Sequence, residues 1–174
     1  MLFVKILFWV MIAIVLYTYI GYGLLLYLLV KLKRIFKTTT PAVNKVSYEP
    51  EVTLFIAAYN EKDYVADKMK NTLGLDYPKD KLRIVWVTDG SDDGTPELLK
   101  QYKEAIVLHE NGRNGKIGAM NRGMKLVKTP IVIFSDANTM LGKDSIRRIV
   151  RLFETPTVGC VSGEKRITDK DTDV

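Results

Sequence analysis

From Ile6 to Val30 the chain carries no charged side chain. As a helix rising ~1.5 Å per residue, that run outlasts the ~30 Å hydrocarbon core of a bilayer. It exceeds the apolar part of a secretory signal peptide and lacks a small-residue cleavage site. Core helices of soluble domains rarely avoid charge for so long. The run is therefore expected to form a single transmembrane helix, residues 6–30, ahead of a separate domain. Trp9 and Tyr27 lie near its two ends, where amphipathic rings favour the membrane interface. Lys31, Lys33, Arg34 and Lys37 outnumber Lys5 on the other side, so the positive-inside rule puts the C-terminal domain in the cytoplasm. Gly21 and Gly23 would allow close helix packing, without the stronger Gly-x-x-x-Gly spacing.

The formal net charge of +6 belongs to this region. The five cations just named meet no acid within residues 1–37, and the remainder of the chain is nearly neutral. A nearly neutral domain lacks the basic footprint of a nucleic-acid binder, so no nucleic-acid partner is expected. The one cysteine, Cys160, excludes an intramolecular disulfide and is expected as a small buried apolar residue. With His109 the one histidine, a His/Cys metal cluster is excluded, and Ser-His-Asp catalysis has no supporting motif. Residues 31–50 form a basic juxtamembrane segment and, from Thr38 to Pro50, a polar linker with two prolines.

Short apolar runs and amphipathic stretches alternate through residues 51–168. Val52–Ala58, Leu82–Thr88, Ala105–Leu108 and Ile131–Ser135 read as buried strands, with Val158–Ser162 as a fifth. Between them, Val65, Met69 and Leu73 share one helical face, and Ile117, Met120, Met124 and Val127 another. Ile146, Ile149, Val150 and Phe153 mark a helix over 144–154. Thr95 and Pro96 suit the N-cap and first residue of a helix over Pro96–Tyr102. This alternation predicts an α/β, Rossmann-like, mostly parallel sheet with flanking helices and right-handed crossovers. The segment 169–174 reads as a solvated charged tail.

In such sheets ligands sit outside the carboxyl ends of the strands. Three strand ends carry loops with the chemistry to bind one: Ala58-Tyr-Asn-Glu61, Asp89-Gly-Ser-Asp-Asp-Gly-Thr95 and Asp136-Ala-Asn138. Asp136 and Asn138, two apart on extended backbone, point oxygen-bearing side chains the same way. Hard oxygens of this kind suit magnesium or manganese bridging a diphosphate. Lys116, after the loop Asn111–Gly115, supplies a counter-charge. Local readings compete: Asn60 and Asp93 also suit turns and caps, Asp89 a turn, and Lys116 a solvated helix start.

In order, Ala-Tyr-Asn-Glu, Asp-Gly-Ser-x-Asp-Gly-Thr, Gly-Lys-x-Gly-Ala-x-Asn-x-Gly and Ser-Asp-Ala-Asn resemble the nucleotide-sugar half of glycosyltransferase family 2, with a GT-A-type fold. The likeness spans about Val52 to Ile167. A membrane helix ahead of the domain is similar to the family's membrane synthases, which use UDP-sugars. The resemblance implies that Ala58, Tyr59 and Glu61 line the nucleoside pocket and that Asp89 hydrogen-bonds uracil or ribose. It further implies that Lys116 offsets diphosphate charge, and that Asp136 binds a divalent metal (Mg or Mn) with Asn138 beside it. Transfer to a saccharide or lipid acceptor would follow. Where the family has Asp-x-Asp, this chain has Asn138, an amide oxygen with one charge fewer. No Gln-x-x-Arg-Trp motif is present, and no catalytic base is assigned. The sequence reads as the donor-binding half of a longer enzyme, or as a nucleotide-sugar-binding module without turnover. A nucleotidyltransferase would want a Gly-rich basic loop after the first strand, and a dehydrogenase a Gly-x-Gly-x-x-Gly; neither is found.

Overall fold

A computed structural model describes residues 1–36 and 48–164, the side chains of 34–36 excepted. Most of the Thr38–Pro50 linker, and the whole 169–174 tail, lie outside the described residues.

The chain divides into two units, Met1–Asn44 and Lys45–Val174. The first has its described residues helical from Leu2 to Phe36: α1 (Leu2–Leu16), a π-helical turn (Tyr17–Gly21) and α2 (Tyr22–Phe36). Within it, Leu2–Lys33 is long and apolar enough to cross a membrane, with a mean hydropathy of 2.2. None of its residues is buried, and nearly all its large apolar side chains are exposed. The π turn falls where Tyr17 crowds Gly21; a Cβ there would meet the tyrosine ring at 3.0 Å.

Among the described residues the second unit is built on four strands, β1 (Val52–Ala58), β2 (Leu82–Asp89), β3 (Ala105–Glu110) and β4 (Ile131–Asp136). They pair in the order β3-β2-β1-β4, each pair parallel. β1 is central and buried along nearly its whole length, which explains its unbroken Val-Thr-Leu-Phe-Ile-Ala-Ala run. The chain steps outward from β1 to β2 and β3, then returns to the other side of β1 for β4. That reversal lies between β1 and β4, where Ala57 is in register with Asp136. A crevice opens at such a switch point.

Helices α3 (Lys62–Leu73), α4 (Thr95–Leu99), α5 (Gly115–Met124) and α6 (Ser145–Leu152) follow the four strands. The larger core layer gathers Leu54, Ile56, Trp86, Met69, Leu99, Ile146 and Val150. Trp86 donates its indole N–H to Met69 Sδ at 3.2 Å within it. The opposite face is thinner: Phe55, Val85, Val87 and Ala119. There α5 lies close to the sheet because Gly123 has no side chain. A Cβ on Gly123 would come within 2.5 Å of Phe55 and Val87.

Several boundaries differ from expectation. β2, β3 and β4 run on to Asp89, Glu110 and Asp136, so these acids belong to the strand ends themselves. α4 stops at Leu99, and its N-cap is Gly94 at φ 91°, not Thr95. Asp93 does the capping, accepting from the Thr95 amide at 2.9 Å. Val158–Ser162 joins no sheet among the described residues, and β4 ends the ladder as an edge. With no strand to bury it, Cys160 is exposed rather than core.

Tyr77, after α3, is buried and donates its hydroxyl to the Pro50 carbonyl at 2.5 Å. Burial, aided by Glu49 and opposed by Arg147, pushes its phenol up to about 12 from 10.0. The folded chain therefore holds a proton that the unfolded chain loses across that window, so stability falls as pH rises through it. Tyr77→Phe should flatten this alkaline decline. At neutral pH it should cost about 1–3 kcal/mol, because the Pro50 carbonyl loses its partner. Urea midpoints measured across the window check this; a variant declining as steeply as wild type refutes the assignment.

Candidate functional site

The loops after β1 and β2 are tied into one body. Asn60 sits at φ 53°, a left-handed conformation that asparagine tolerates. Its side chain and Asp92 bond reciprocally, Nδ2 to Asp92 Oδ1 at 2.9 Å and the Asp92 amide to Asn60 Oδ1 at 3.1 Å. Three further backbone amides, of Asn60, Glu61 and Lys62, donate to Ser91 Oγ, Thr95 Oγ1 and Asp93 Oδ2 at 3.0–3.1 Å. The start of α3 is thus capped by side chains of the β2 loop rather than by its own. Burial pushes the Asp93 carboxyl up, but bonds from the Thr95 hydroxyl and amide and from the Lys62 amide outweigh it and hold it below the usual range. Asn60 and Asp93 therefore act as turn and cap residues.

Asp89 ends β2 buried. Its Oδ2 accepts from the Asn114 amide at 2.7 Å and its Oδ1 from Arg122 Nη1 at 3.1 Å. Arg122 also bonds Glu110 and donates to the Thr88 carbonyl at 3.0 Å, which ties α5 to the ends of β2 and β3. Gly90, at φ 71°, admits the loop before α5: a Cβ there would meet Arg113 at 3.0 Å. The Arg113 guanidinium lies 4.1 Å from the centre of the Tyr59 ring, itself half exposed. His109 spans β2 and the following loop through Thr88 and Asn111, a structural pairing.

Asp136 ends β4 at the switch point. Lys116 Nζ, from the first turn of α5, donates to its Oδ1 at 2.9 Å, and both side chains are more than half exposed. Asn138 is exposed just beyond it, but not on the extended backbone expected. The strand stops at Asp136, and 137–138 form a turn closed by the Thr139 amide on the Asp136 carbonyl at 3.2 Å. The Asn138 Oδ1 lies 3.4 Å from the Thr139 hydroxyl. Burial, then the charges of Asp136 and Asp93, raise the Glu61 carboxyl, so the ends of β1 and β4 share one field. Beneath lies Lys68 of α3, fully buried. Its ammonium donates to Ser135 Oγ at 2.7 Å and to the Thr139 carbonyl. Burial lowers it to about 8, against the upward pull of Asp136.

Of the residues singled out in the sequence, Glu61, Lys116, Asp136 and Asn138 come together at the switch point. Tyr59 and Asp89 lie along the same edge. Ala58 is buried in the core, so its side chain is not open to the edge. Lys68 and Arg122 escaped sequence reading. Lys68 carried a signal, since it falls on the face set by Val65 and Met69. Among the described residues no three His, Cys, Asp or Glu side chains are grouped to hold a metal. Asp136 and Asn138 nonetheless offer two hard oxygens in the open, and an ammonium already rests on Asp136. That fits an ion completed by phosphate oxygens and water, as magnesium and manganese favour.

Residues 53–174 match the profile described as Glycosyl transferase family 2. Poly-beta-1,6-N-acetyl-D-glucosamine synthase of Staphylococcus aureus (strain MSSA476) is 35% identical over 127 residues, 70% of this chain and 30% of that protein. Beta-monoglucosyldiacylglycerol synthase of Nostoc sp. is 32% identical over 126 residues, 69% of this chain and 27% of that one. The chain thus spans about a third of the length of these relatives. A mannosyltransferase from Pyrobaculum calidifontis, solved with GDP-Man and Mn2+, superposes with a TM-score of 0.75 at 34% identity, covering 89% of this chain and 47% of that one. TarS of S. aureus, solved with UDP, shares the fold at a TM-score of 0.56 and 19% identity, over 60% of this chain and 32% of that one.

The geometry at Asn60 separates two costs. Asn60→Gly should lose only the bonds to Asp92, whereas Asn60→Ala should add about 1–2 kcal/mol of left-handed backbone strain. Thermal unfolding of both variants checks this; equal losses would show the positive φ to be without cost.

Proposed function

The chain belongs to glycosyl transferase family 2, and we propose that its domain binds a UDP-sugar and a divalent metal at the carboxyl edge of β1, β2 and β4. The sugar would pass to a saccharide or lipid acceptor. The observation that carries this reading is the half-exposed Lys116–Asp136 pair at the switch point. A cation and a carboxylate, both within reach of solvent, are what a metal-chelated diphosphate would rearrange.

Asp136 and Asn138 would hold magnesium or manganese by their side-chain oxygens. When bound, the ion neutralises charge on the departing nucleoside diphosphate. Lys116 gives up its bond to Asp136 and turns to the diphosphate oxygens, so no ammonium is left unpaired. Asp89, its orientation fixed by Arg122 and the Asn114 amide, accepts N–H or O–H donors from uracil or ribose. Tyr59 offers a ring face beside it. Transfer breaks the bond between the anomeric carbon and the diphosphate oxygen, whose electron pair leaves with the diphosphate. It makes a bond to an acceptor hydroxyl, whose proton passes to a general base. Preorganised charges at the leaving group are worth most in a site held as rigidly as this one.

Titration calorimetry of the full chain in detergent tests this with UDP, with and without Mn2+, and with GDP in parallel. UDP should bind more tightly with the metal. Asp136→Ala should abolish that gain. Lys116→Met should weaken binding tenfold or more, about 1.4 kcal/mol, while keeping a metal gain. Wild-type behaviour in both variants sinks the site assignment, and preference for GDP sinks the uridine.

The helix Leu2–Lys33 supports a single-pass anchor, and the cations after it support a cytoplasmic domain. Val15→Arg should weaken insertion by about 2.5–3.5 kcal/mol, read as loss of carbonate-resistant membrane association. A C-terminal tag labelled from outside intact cells refutes the orientation.

A further inference from the structure

Lysine is almost never fully buried unless paired. In α3 the buried positions are Val65, Lys68, Met69 and Thr72, so Lys68 occupies a place that an apolar residue would fill at lower cost. Its two bonds show what it does there. Ser135 and Thr139, which it joins, are the two ends of the short segment that carries Asp136 and Asn138. The same segment is pinned at its middle by Ala137, which is buried in the core. The Thr139 amide closes it with a 3.2 Å bond to the Asp136 carbonyl. Further on, Asn71 of α3 holds Leu141 by a reciprocal pair, at 2.8 Å to its carbonyl and 2.9 Å from its amide. One helix thus templates the whole loop after β4. Asn71 does so as a neutral amide, and Lys68 as a cation in the field of Asp136.

We propose that Lys68 is a positioning residue for the divalent metal: by clamping Ser135 to Thr139 from below, it sets the Asp136 and Asn138 oxygens at the separation one ion can bridge. The proposal rests on the reading of Asp136 and Asn138 as the metal's protein ligands. A hard cation with near-ideal octahedral demands tolerates little error in the distance between two protein oxygens. On that reading two protein oxygens hold the ion, so their spacing matters more than in a cage of many ligands. Lys68 is also out of reach of the diphosphate, being fully buried, so its charge stays put when Lys116 moves.

The readout is the gain in UDP affinity that Mn2+ brings to the full chain in detergent, with thermal unfolding alongside. Lys68→Met should reduce this gain at least tenfold while changing UDP affinity without metal less than threefold. Ser135→Ala removes one end of the clamp from a less buried position, and should lower the gain threefold or more with little change in melting temperature. Asn71→Ala loosens the same loop without touching Ser135 or Thr139, and should leave the gain intact. If Lys68→Met does not fold, Ser135→Ala against Asn71→Ala decides the question. A gain kept by Ser135→Ala and by any folded Lys68 variant overturns the proposal, as does an equal loss in Asn71→Ala, which would make Lys68 an ordinary loop staple. A wild-type chain with no metal gain overturns the underlying site reading as well.

Discussion

Everything in the second unit follows from β1 having a parallel neighbour on each side. Because β2 and β4 both run with it, the carboxyl ends of all three come to the same edge, and the loops that follow them cannot avoid one another. The central position also demands that β1 be apolar on nearly every residue, and its one polar side chain, Thr53, is buried against the Thr129 hydroxyl at 2.8 Å. Chemistry is therefore pushed out of the strands and into their exits. The acids Asp89, Glu110 and Asp136 stand at the last position of three strands, where the ladder ends and solvation or a partner becomes available.

Crowding acids at one edge would be repulsive if nothing answered them. Each is met by a cation from a helix rather than from the sheet. Arg122 answers Asp89 and Glu110 together, Lys116 answers Asp136 from the open side, and Lys68 does so from below. These pairs differ in what they can do. Arg122 is largely buried, bonds two carboxylates and a backbone carbonyl, and so works as part of the frame. Lys116 and Asp136 are exposed, and an exposed pair of this kind is worth little, at most about 1 kcal/mol. An interaction that weak can be exchanged for a ligand at small cost. The fixed and the exposed pairs both draw on α5, so a change at Lys116 leaves the Arg122 frame in place.

Much of this was legible in the sequence, and the parts that were not share a cause. Apolar runs ending in polar loops gave all four strands of the sheet and the parallel pairing, since the length and order of the elements leave few alternatives. The Lys116–Asp136 pair was reachable because both residues stand at the ends of readable elements. Val158–Ser162 misled because a short apolar run specifies extended backbone only if a neighbour is present to pair with it, and that is a tertiary fact. The expected burial of Cys160 failed with it. Lys68 was overlooked because a lysine at a helical position suggests solvent, although its spacing from Val65 put it on the inward face. The partners of Arg122 depend on how α5 packs on the sheet, and the Asn60–Asp92 pair on loop geometry, neither of which periodicity encodes.

Lys68 also bears on why α3 begins where it does. Its N-terminus is capped by Ser91, Asp93 and Thr95 from the β2 loop, and its inward face holds the β4 loop through Lys68 and Asn71. The same short helix therefore touches the loops that follow β1, β2 and β4. Their relative positions are set by one rigid body instead of by three independent turns. A shift of α3 along its axis would move the Asp93 cap and the Lys68 clamp together, which couples the loop after β2 to the loop after β4. Precision in a site made from loops has to come from the element beneath them, and here that element spends a buried charge to supply it.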